Sequence, residues 1–364
     1  MTAPLACRPI FKEKIWGGRN LHTVLGKTIP PDAPIGESWE LSGHGDDVSV
    51  VADGVHAGSS IAALADRWGK SLLGARAPEP VLPLLYKFID AEQRLSVQVH
   101  PDDRQAREHG WDERGKTECW YVVHARPDAR IIVGLKEGVT LRDIDDGIRA
   151  DRLGDLLNEL PIAPGDVLFI PAGTVHAIME GTLLYEVQET SDITLRLYDW
   201  GRVGMDGKPR ALHVAESLEV IDARYHTHHK VPPLSVEERA AGVERSLRAV
   251  CRYFALEEIA LAAGARAAAA VPGTFQVLTC IEGHGEITAS EYARAIGLGE
   301  TILVPADCQE ASLSADTRMR VLRSWVPDIA ADIVQPLLAR GADKDSIAAL
   351  GGDPAHSDIR PYLG

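Results

Sequence analysis

The chain has 364 residues, 45% of them apolar and 25% charged, which suits a globular protein of two domains or one large β architecture. Its formal net charge of −15 argues against nonspecific binding to nucleic acid or to an anionic membrane, since both need a basic surface. A small anionic substrate is not excluded, because one local cluster of lysines and arginines can hold a phosphate.

The N-terminal stretch MTAPLACRPIFKEKIWGG lacks the charged start and long apolar run of a signal peptide. No apolar run approaches the ~18–20 residues of a membrane helix. The cysteines Cys7, Cys119, Cys251, Cys280 and Cys308 are scattered and form no CxxC pair, as expected of reduced thiols in the cytoplasm. In chain order, SSIAALADRWGKSLLG (59–74) is the first helical signal, opening on Ser and closing on Gly. The strand-like runs SVQVH (96–100), CWYVVH (119–124) and RIIVGL (130–135) follow. Residues 140–160 return to helical spacing through Leu141, Ile144, Ile148, Leu153, Leu156 and Leu157. Further β-runs are DVLFIP (166–171), LLYEVQ (183–188), ITLRLYDW (193–200), FQVLTCI (275–281) and TILVP (301–305). The spacing predicts a mainly β fold with a small helical insertion.

Gly165–Pro171 (GDVLFIP) and Gly299–Pro305 (GETILVP) repeat one pattern: glycine, acid, apolar strand, proline. Two related β-barrel halves explain both the repeat and the length; GDVLFIPAGTVH (165–176), which resembles a cupin motif, implies that they are cupin-like, jelly-roll barrels. The polar, proline-containing stretch 231–247 marks the boundary. The expected division is a first domain over 1–235, a second over 236–327, and a tail over 328–364 that reads as a helix and a loose end.

Strand alternation puts Gln98 and His100 on one face. By itself that pair is a weak signal, because a histidine at a strand end is more often a surface or hydrogen-bonded residue. Lys116, Glu118 and Trp120 share another face. An acid entering an apolar strand needs a partner or a metal, because a buried carboxylate is costly. GDVLFIPAGTVH (165–176) follows the pattern G-x5-P-x-G-x2-H and resembles the second motif of the cupin family. Gly173 permits a tight turn that sends His176 inward. Gln98, His100, Glu118 and His176 together suit Zn²⁺, with Fe²⁺ or Mn²⁺ also fitting. In the second half Asp307 stands at the place of Gly173 and Glu310 at that of His176, so this half is expected to be metal-free and structural.

The stretches IWGG (15–18), GESWELSGH (36–44), LPLLYKFIDAEQRLSVQVHPDD (82–103), GKTECWYV (115–122), GDVLFIPAGTVHAI (165–178) and LLYEVQETSDITLRLYDWGR (183–202) resemble the type I mannose-6-phosphate isomerase family in its short bacterial form. The resemblance implies a zinc site of Gln98, His100, Glu118 and His176. It also implies a substrate pocket including Ser96, Lys87, Lys116, Glu186, Arg196 and Arg202. Lys116, Glu186 and Arg196 are then the expected catalytic groups, acting on a phosphorylated sugar through a cis-enediol. The expected assembly is a monomer or homodimer, with no nucleic-acid or membrane partner. Gly115 stands where some long-form members have a histidine, so no histidine acid/base role carries over. A non-catalytic sugar-phosphate sensor, or an isomerase of another phosphorylated sugar, is the alternative. A sensor could discard Lys116 and Glu186, and both are present.

Overall fold

The computed structural model describes residues 3–77, 80–224, 230–236 and 242–364. The β-branched and aromatic runs form antiparallel strands, and those of the first half divide between two sheets. One has six strands, in the order Val167–Ile170, Glu118–Ala125, Thr182–Glu189, Leu84–Ala91, Ile10–Gly18 and Ile35–Leu41. The other has five: Leu157–Pro161, Arg130–Leu135, His176–Ile178, Val97–Val99 and Leu195–Tyr198. Trp16, Ile89, Trp120 and Leu184 from the first meet Ile131, Val133 and Ile178 from the second in one buried cluster. The sheets therefore pack face to face, each large apolar side chain contributing roughly 1.5–3 kcal/mol by leaving water.

The second half repeats the arrangement. A seven-stranded sheet that includes Ala255–Leu261, Gln276–Glu282, Thr301–Val304 and Met319–Trp325 faces a four-stranded one that includes His284–Ala289 and Ser312–Ala315. Ile259, Leu278 and Val321 pack there on Ile287 and Leu313. The two larger sheets also share a core, in which Tyr86, Phe88 and Tyr185 meet Val277, Leu322 and Phe254. Thr279 Oγ1 donates to the Tyr185 hydroxyl at 2.9 Å across this junction. The mainly β, two-part cupin-like reading holds. Each half is a pair of packed sheets, and among the described residues no hydrogen-bond ladder closes a pair into a continuous barrel.

The repeat has a structural counterpart. Gly165 and Gly299 both take positive φ, +91° and +81°, at the entry to their strands. Ile170 then lies opposite Glu118, and Val304 opposite Gln276. The halves diverge one turn later. Gly173 has φ +87°, whereas Asp307 is not among the positive-φ residues. The turn that sends His176 inward is not made at Asp307, where a side chain disfavours it, and Glu310 is left exposed beside Ser290. Among the described residues the second half holds no cluster of metal-binding side chains. Glu310→Ala is expected to leave bound metal, measured by elemental analysis, unchanged; a loss would show that this half carries a metal.

Three expectations differ from what is observed. Helix 59–74 is two helices, Ile61–Trp68 and Lys70–Leu73, because Gly69 breaks it at φ +50°. Over 140–160 only Leu141–Arg149 is α-helical, and Leu157–Pro161 is an edge strand with Leu157 opposite Leu135. Pairing to the sheet outweighs helical spacing there. The tail is not loose: Ile347, Leu350 and Ile359 are fully buried, and Val250 N–H donates to the Leu350 carbonyl at 2.9 Å. Two strand pairings join residues on either side of position 235. Leu5–Ala6 pairs with Thr301–Val304, and Leu234–Ser235 with Val243–Val250. Residues 237–241 of the boundary stretch lie outside the described residues. Among the described residues no helix is long and apolar enough to cross a membrane.

Candidate metal centre and substrate pocket

The strands Val97–Val99 and His176–Ile178 are neighbours, with His176 directly opposite Gln98. Glu118 begins its strand in the facing six-stranded sheet. Its carboxylate lies between the two imidazoles, with Oε2 3.6 Å from His100 Nε2 and Oε1 3.4 Å from His176 Nε2. Ligands about 2.1 Å from one shared cation are roughly 3–3.5 Å apart, so the spacing fits a metal. Gln98 sets its amide 3.2 Å from His176 Nε2, and Ser96 Oγ donates to its other end at 3.3 Å. A half-turn of the amide exchanges its nitrogen for an oxygen ligand.

Burial makes the same argument. His100, Glu118 and His176 are each 1% exposed or less. Among the described residues neither Glu118 Oε1 nor His100 Nε2 has a hydrogen-bond partner of good geometry, while Glu118 Oε2 is paired with the Lys116 ammonium at 3.0 Å. Such an arrangement costs several kcal/mol unless a cation completes it. Burial pushes the His176 imidazole down to about 4, and it pushes His100 well below its usual value, with Lys116 and His176 adding. Both rings are therefore neutral, the form that ligates metal. His176 Nδ1 lies 2.8 Å from the Thr174 carbonyl, which can only accept. The ring proton is therefore on Nδ1, and the Nε2 lone pair faces Glu118. Two imidazoles, a carboxylate and an amide suit a divalent cation.

A cavity of about 340 Å³ adjoins this centre, and sheet register builds its walls. Glu186 lies opposite Lys87 on one side and Trp120 on the other. Arg196 lies opposite Gln98 in the other sheet. Trp120 Nε1 donates to Glu186 Oε1 at 2.9 Å, and Lys87 Nζ is 3.6 Å from both Glu186 and Asp192. Lys116 Nζ is 3.0 Å from Glu118 Oε2. Burial alone would lower the Lys116 pKa, but Glu118, Glu186 and Asp192 outweigh it and hold the ammonium above its ordinary value. Burial raises Glu186, Glu118 adds to that, and Lys116 and Lys87 oppose it.

Of the residues the resemblance assigns to a substrate pocket, Ser96, Lys87, Lys116, Glu186 and Arg196 line this cavity and Arg202 does not. Arg202 donates to Asp199 Oδ1 at 2.9 Å, and Asp199 in turn accepts from Arg210 at 2.7 Å. It is Arg210 that reaches the cavity. Lys14, Glu37, Asp192 and His213 also line it and are missed by sequence reasoning. Lys14 adjoins the IWGG stretch, and Glu37 and Asp192 lie inside two of the other resembling stretches. Arg210 and His213 come in through a turn bridged by Val203 and Pro209. The lining carries five cationic side chains, Lys14, Lys87, Lys116, Arg196 and Arg210, against the carboxylates of Glu37, Glu186 and Asp192. That excess suits a dianionic ligand.

The catalytic-domain profile of type I phosphomannose isomerase matches residues 5–115, and the cupin-domain profile of mannose-6-phosphate isomerase matches residues 244–326. Mannose-6-phosphate isomerase ManA of Bacillus subtilis (strain 168) is 36% identical over 317 residues, covering 86% of this chain and 96% of its own. The chain belongs to the type I phosphomannose isomerase family. Within that family, the mannose-6-phosphate isomerase of Streptococcus mutans is 34% identical, over 84% of this chain and 93% of its own. The crystal structure of the mannose 6-phosphate isomerase from Bacillus subtilis superposes with a TM-score of 0.81 at 29% identity, over 89% of this chain and 99% of that one.

Glu189 lies just behind the centre, where burial, with Asp103 adding, raises its pKa to about 8. Its folded pKa is above its unfolded one, so the stability tied to the protonated form is complete below about pH 4.5 and is lost as pH rises through 8. Glu189→Gln is therefore expected to melt near the unaltered protein at pH 5 and above it at pH 8–9, by a few °C. A melting difference independent of pH would contradict this.

Proposed function

We propose that the chain interconverts mannose 6-phosphate and fructose 6-phosphate through a cis-enediol. The observation that carries this reading is the pairing of a neutral His100–His176–Glu118 cluster with a cavity rich in cations. Gln98, His100, Glu118 and His176 would hold the metal, zinc in the first instance with iron or manganese as alternatives. The bound cation supplies Lewis-acid stabilisation of developing oxyanion charge, worth several kcal/mol.

The chain's own residues handle protons and phosphate. The carbonyl moves from C1 to C2 when a base takes the C2 proton and returns it to C1, while a hydroxyl proton passes from O2 to O1. Glu186, whose carboxyl is raised by burial, is poised as the carbon base. Lys116, held in its charged form, serves the two oxygens. Arg196 donates from Nε to Ser96 Oγ at 3.3 Å and from a terminal nitrogen to the Ala211 carbonyl at 3.0 Å, which fixes its fork for an anion. His213 Nδ1 accepts the Arg196 backbone N–H at 3.2 Å. Its own proton is therefore on Nε2, where it can donate to a phosphate oxygen. Arg210 adds charge, and Arg202 braces it through Asp199. Ser96 and Lys87 complete the sugar cradle. The reading is tested by following fructose 6-phosphate to mannose 6-phosphate with the purified, metal-loaded protein. No conversion would end it, and activity confined to other phosphorylated sugars would move it to another substrate.

A further inference from the structure

The residues Gly115–Thr117, which carry Lys116, belong to no helix or strand. All three of their backbone N–H groups are nevertheless tied. Asp103 Oδ1 accepts from Gly115 at 3.0 Å, the Pro101 carbonyl accepts from Lys116 at 3.0 Å, and Glu189 Oε1 accepts from Thr117 at 2.9 Å. Glu189 N–H returns a bond to the Thr117 carbonyl at 3.2 Å. A Cβ at position 115 would fall 2.4 Å from the Asp103 backbone nitrogen, so the chain closes against Asp103 only because residue 115 is glycine. The clamp reaches into the second half of the molecule. The Tyr253 hydroxyl donates to Asp103 Oδ2 at 3.2 Å, from the turn between Val243–Val250 and Ala255–Leu261. Asp103 thus joins Tyr253 through one oxygen and Gly115 through the other.

None of these groups meets the substrate cavity. Asp103, Thr117 and Tyr253 line a separate cavity of about 520 Å³ that, among the described residues, shares no lining residue with it. They touch the reaction through the backbone on either side of Lys116, and bound metal separates an effect on Lys116 from one on the neighbouring ligands His100 and Glu118. The Lys116 stem is flexible, but the side chain is buried with its ammonium 3.0 Å from Glu118 Oε2, so the place of the backbone at 116 sets how far the ammonium reaches beyond that contact. We propose that Asp103, Glu189 and Tyr253 are positioning residues, which fix the backbone on both sides of Lys116 and hold its ammonium at the reacting oxygens. Through Tyr253 the metal-free half contributes to catalysis. The inference rests on the reading of Lys116 as a proton-transfer group.

The test compares Asp103→Ala, Asp103→Asn, Glu189→Ala, Glu189→Gln and Tyr253→Phe in the metal-loaded full chain. Asp103→Ala and Glu189→Ala are expected to lower kcat roughly 10- to 100-fold, the cost of a displacement of about 1 Å, with KM and bound metal unchanged. Asp103→Asn and Glu189→Gln keep an acceptor oxygen and should recover most of the loss. Unchanged kcat in both alanine variants would overturn the proposal, as would losses that follow metal content or failure of the conservative variants to recover. Hydrogen exchange across residues 115–117 should quicken in both alanine variants whether or not the protein is an isomerase. No change in exchange overturns the clamp. Faster exchange in a protein inactive on fructose 6-phosphate overturns the functional reading and the catalytic role given to the clamp, and leaves the clamp itself standing. Tyr253→Phe removes one half-buried hydroxyl and keeps both readouts should an alanine variant fail to fold; kcat and exchange both unchanged in it would remove the second half from the proposal.

Discussion

His176→Ala is expected to abolish stoichiometric metal binding and, with it, isomerisation. The substitution removes the Nε2 lone pair that faces Glu118 Oε1 at 3.4 Å. Gln98 loses its contact at the same time, since its amide is 3.2 Å from that nitrogen. Two of the four proposed ligands are therefore disturbed by one change. Removing a group that only orients a metal ligand already costs roughly 10–100-fold in affinity, and loss of a ligand should cost more. The fold should survive, because residue 176 keeps its backbone place between Val97–Val99 and Arg130–Leu135. Dialysed variant protein should carry no zinc by elemental analysis while keeping its circular dichroism. Stoichiometric zinc in His176→Ala would mean that the ligand assignment is wrong.

The second large effect is expected at Lys116. Lys116→Met keeps the length of the side chain and removes its charge and donors. Positioned proton-transfer groups contribute about 10²–10⁴-fold, so kcat should fall within that range. Metal content should stay near one per chain, because Lys116 pairs with Glu118 through one oxygen only. KM should change much less than kcat, the pattern of a contact that matters in the transition state. A kcat within a few-fold of the unaltered protein would remove Lys116 from the mechanism and leave Glu186 as the group to examine.

Features with a rigid local geometry are legible in the sequence. Alternation alone puts Gln98 and His100 on one face, and a glycine needing φ +87° at 173 marks the turn before His176. The same logic reads the second half as metal-free, since Asp307 stands in place of that glycine and Glu310 in place of the histidine. What spacing does not convey is long-range geometry. Arg210 and His213 reach the cavity through a turn, and nothing in their spacing points to Ser96 or Arg196. Arg202 has the right charge but spends it on Asp199, a choice fixed by packing. Leu157 fits a helical period, yet it finds a strand partner in Leu135. The tail reads as loose because Ile347, Leu350 and Ile359 are diluted among Ala, Asp and Gly, although all three are buried.

The central claim is that His100, Glu118, His176 and Gln98 hold a metal on which sugar-phosphate isomerisation depends. It is tested most directly by stripping the purified protein with chelator, reloading it with one equivalent of Zn²⁺, Fe²⁺ or Mn²⁺, and assaying fructose 6-phosphate to mannose 6-phosphate at each stage. The predicted result is activity lost on stripping and restored on reloading by at least one of these metals. Full activity in the stripped protein, or none with any divalent metal, would contradict it.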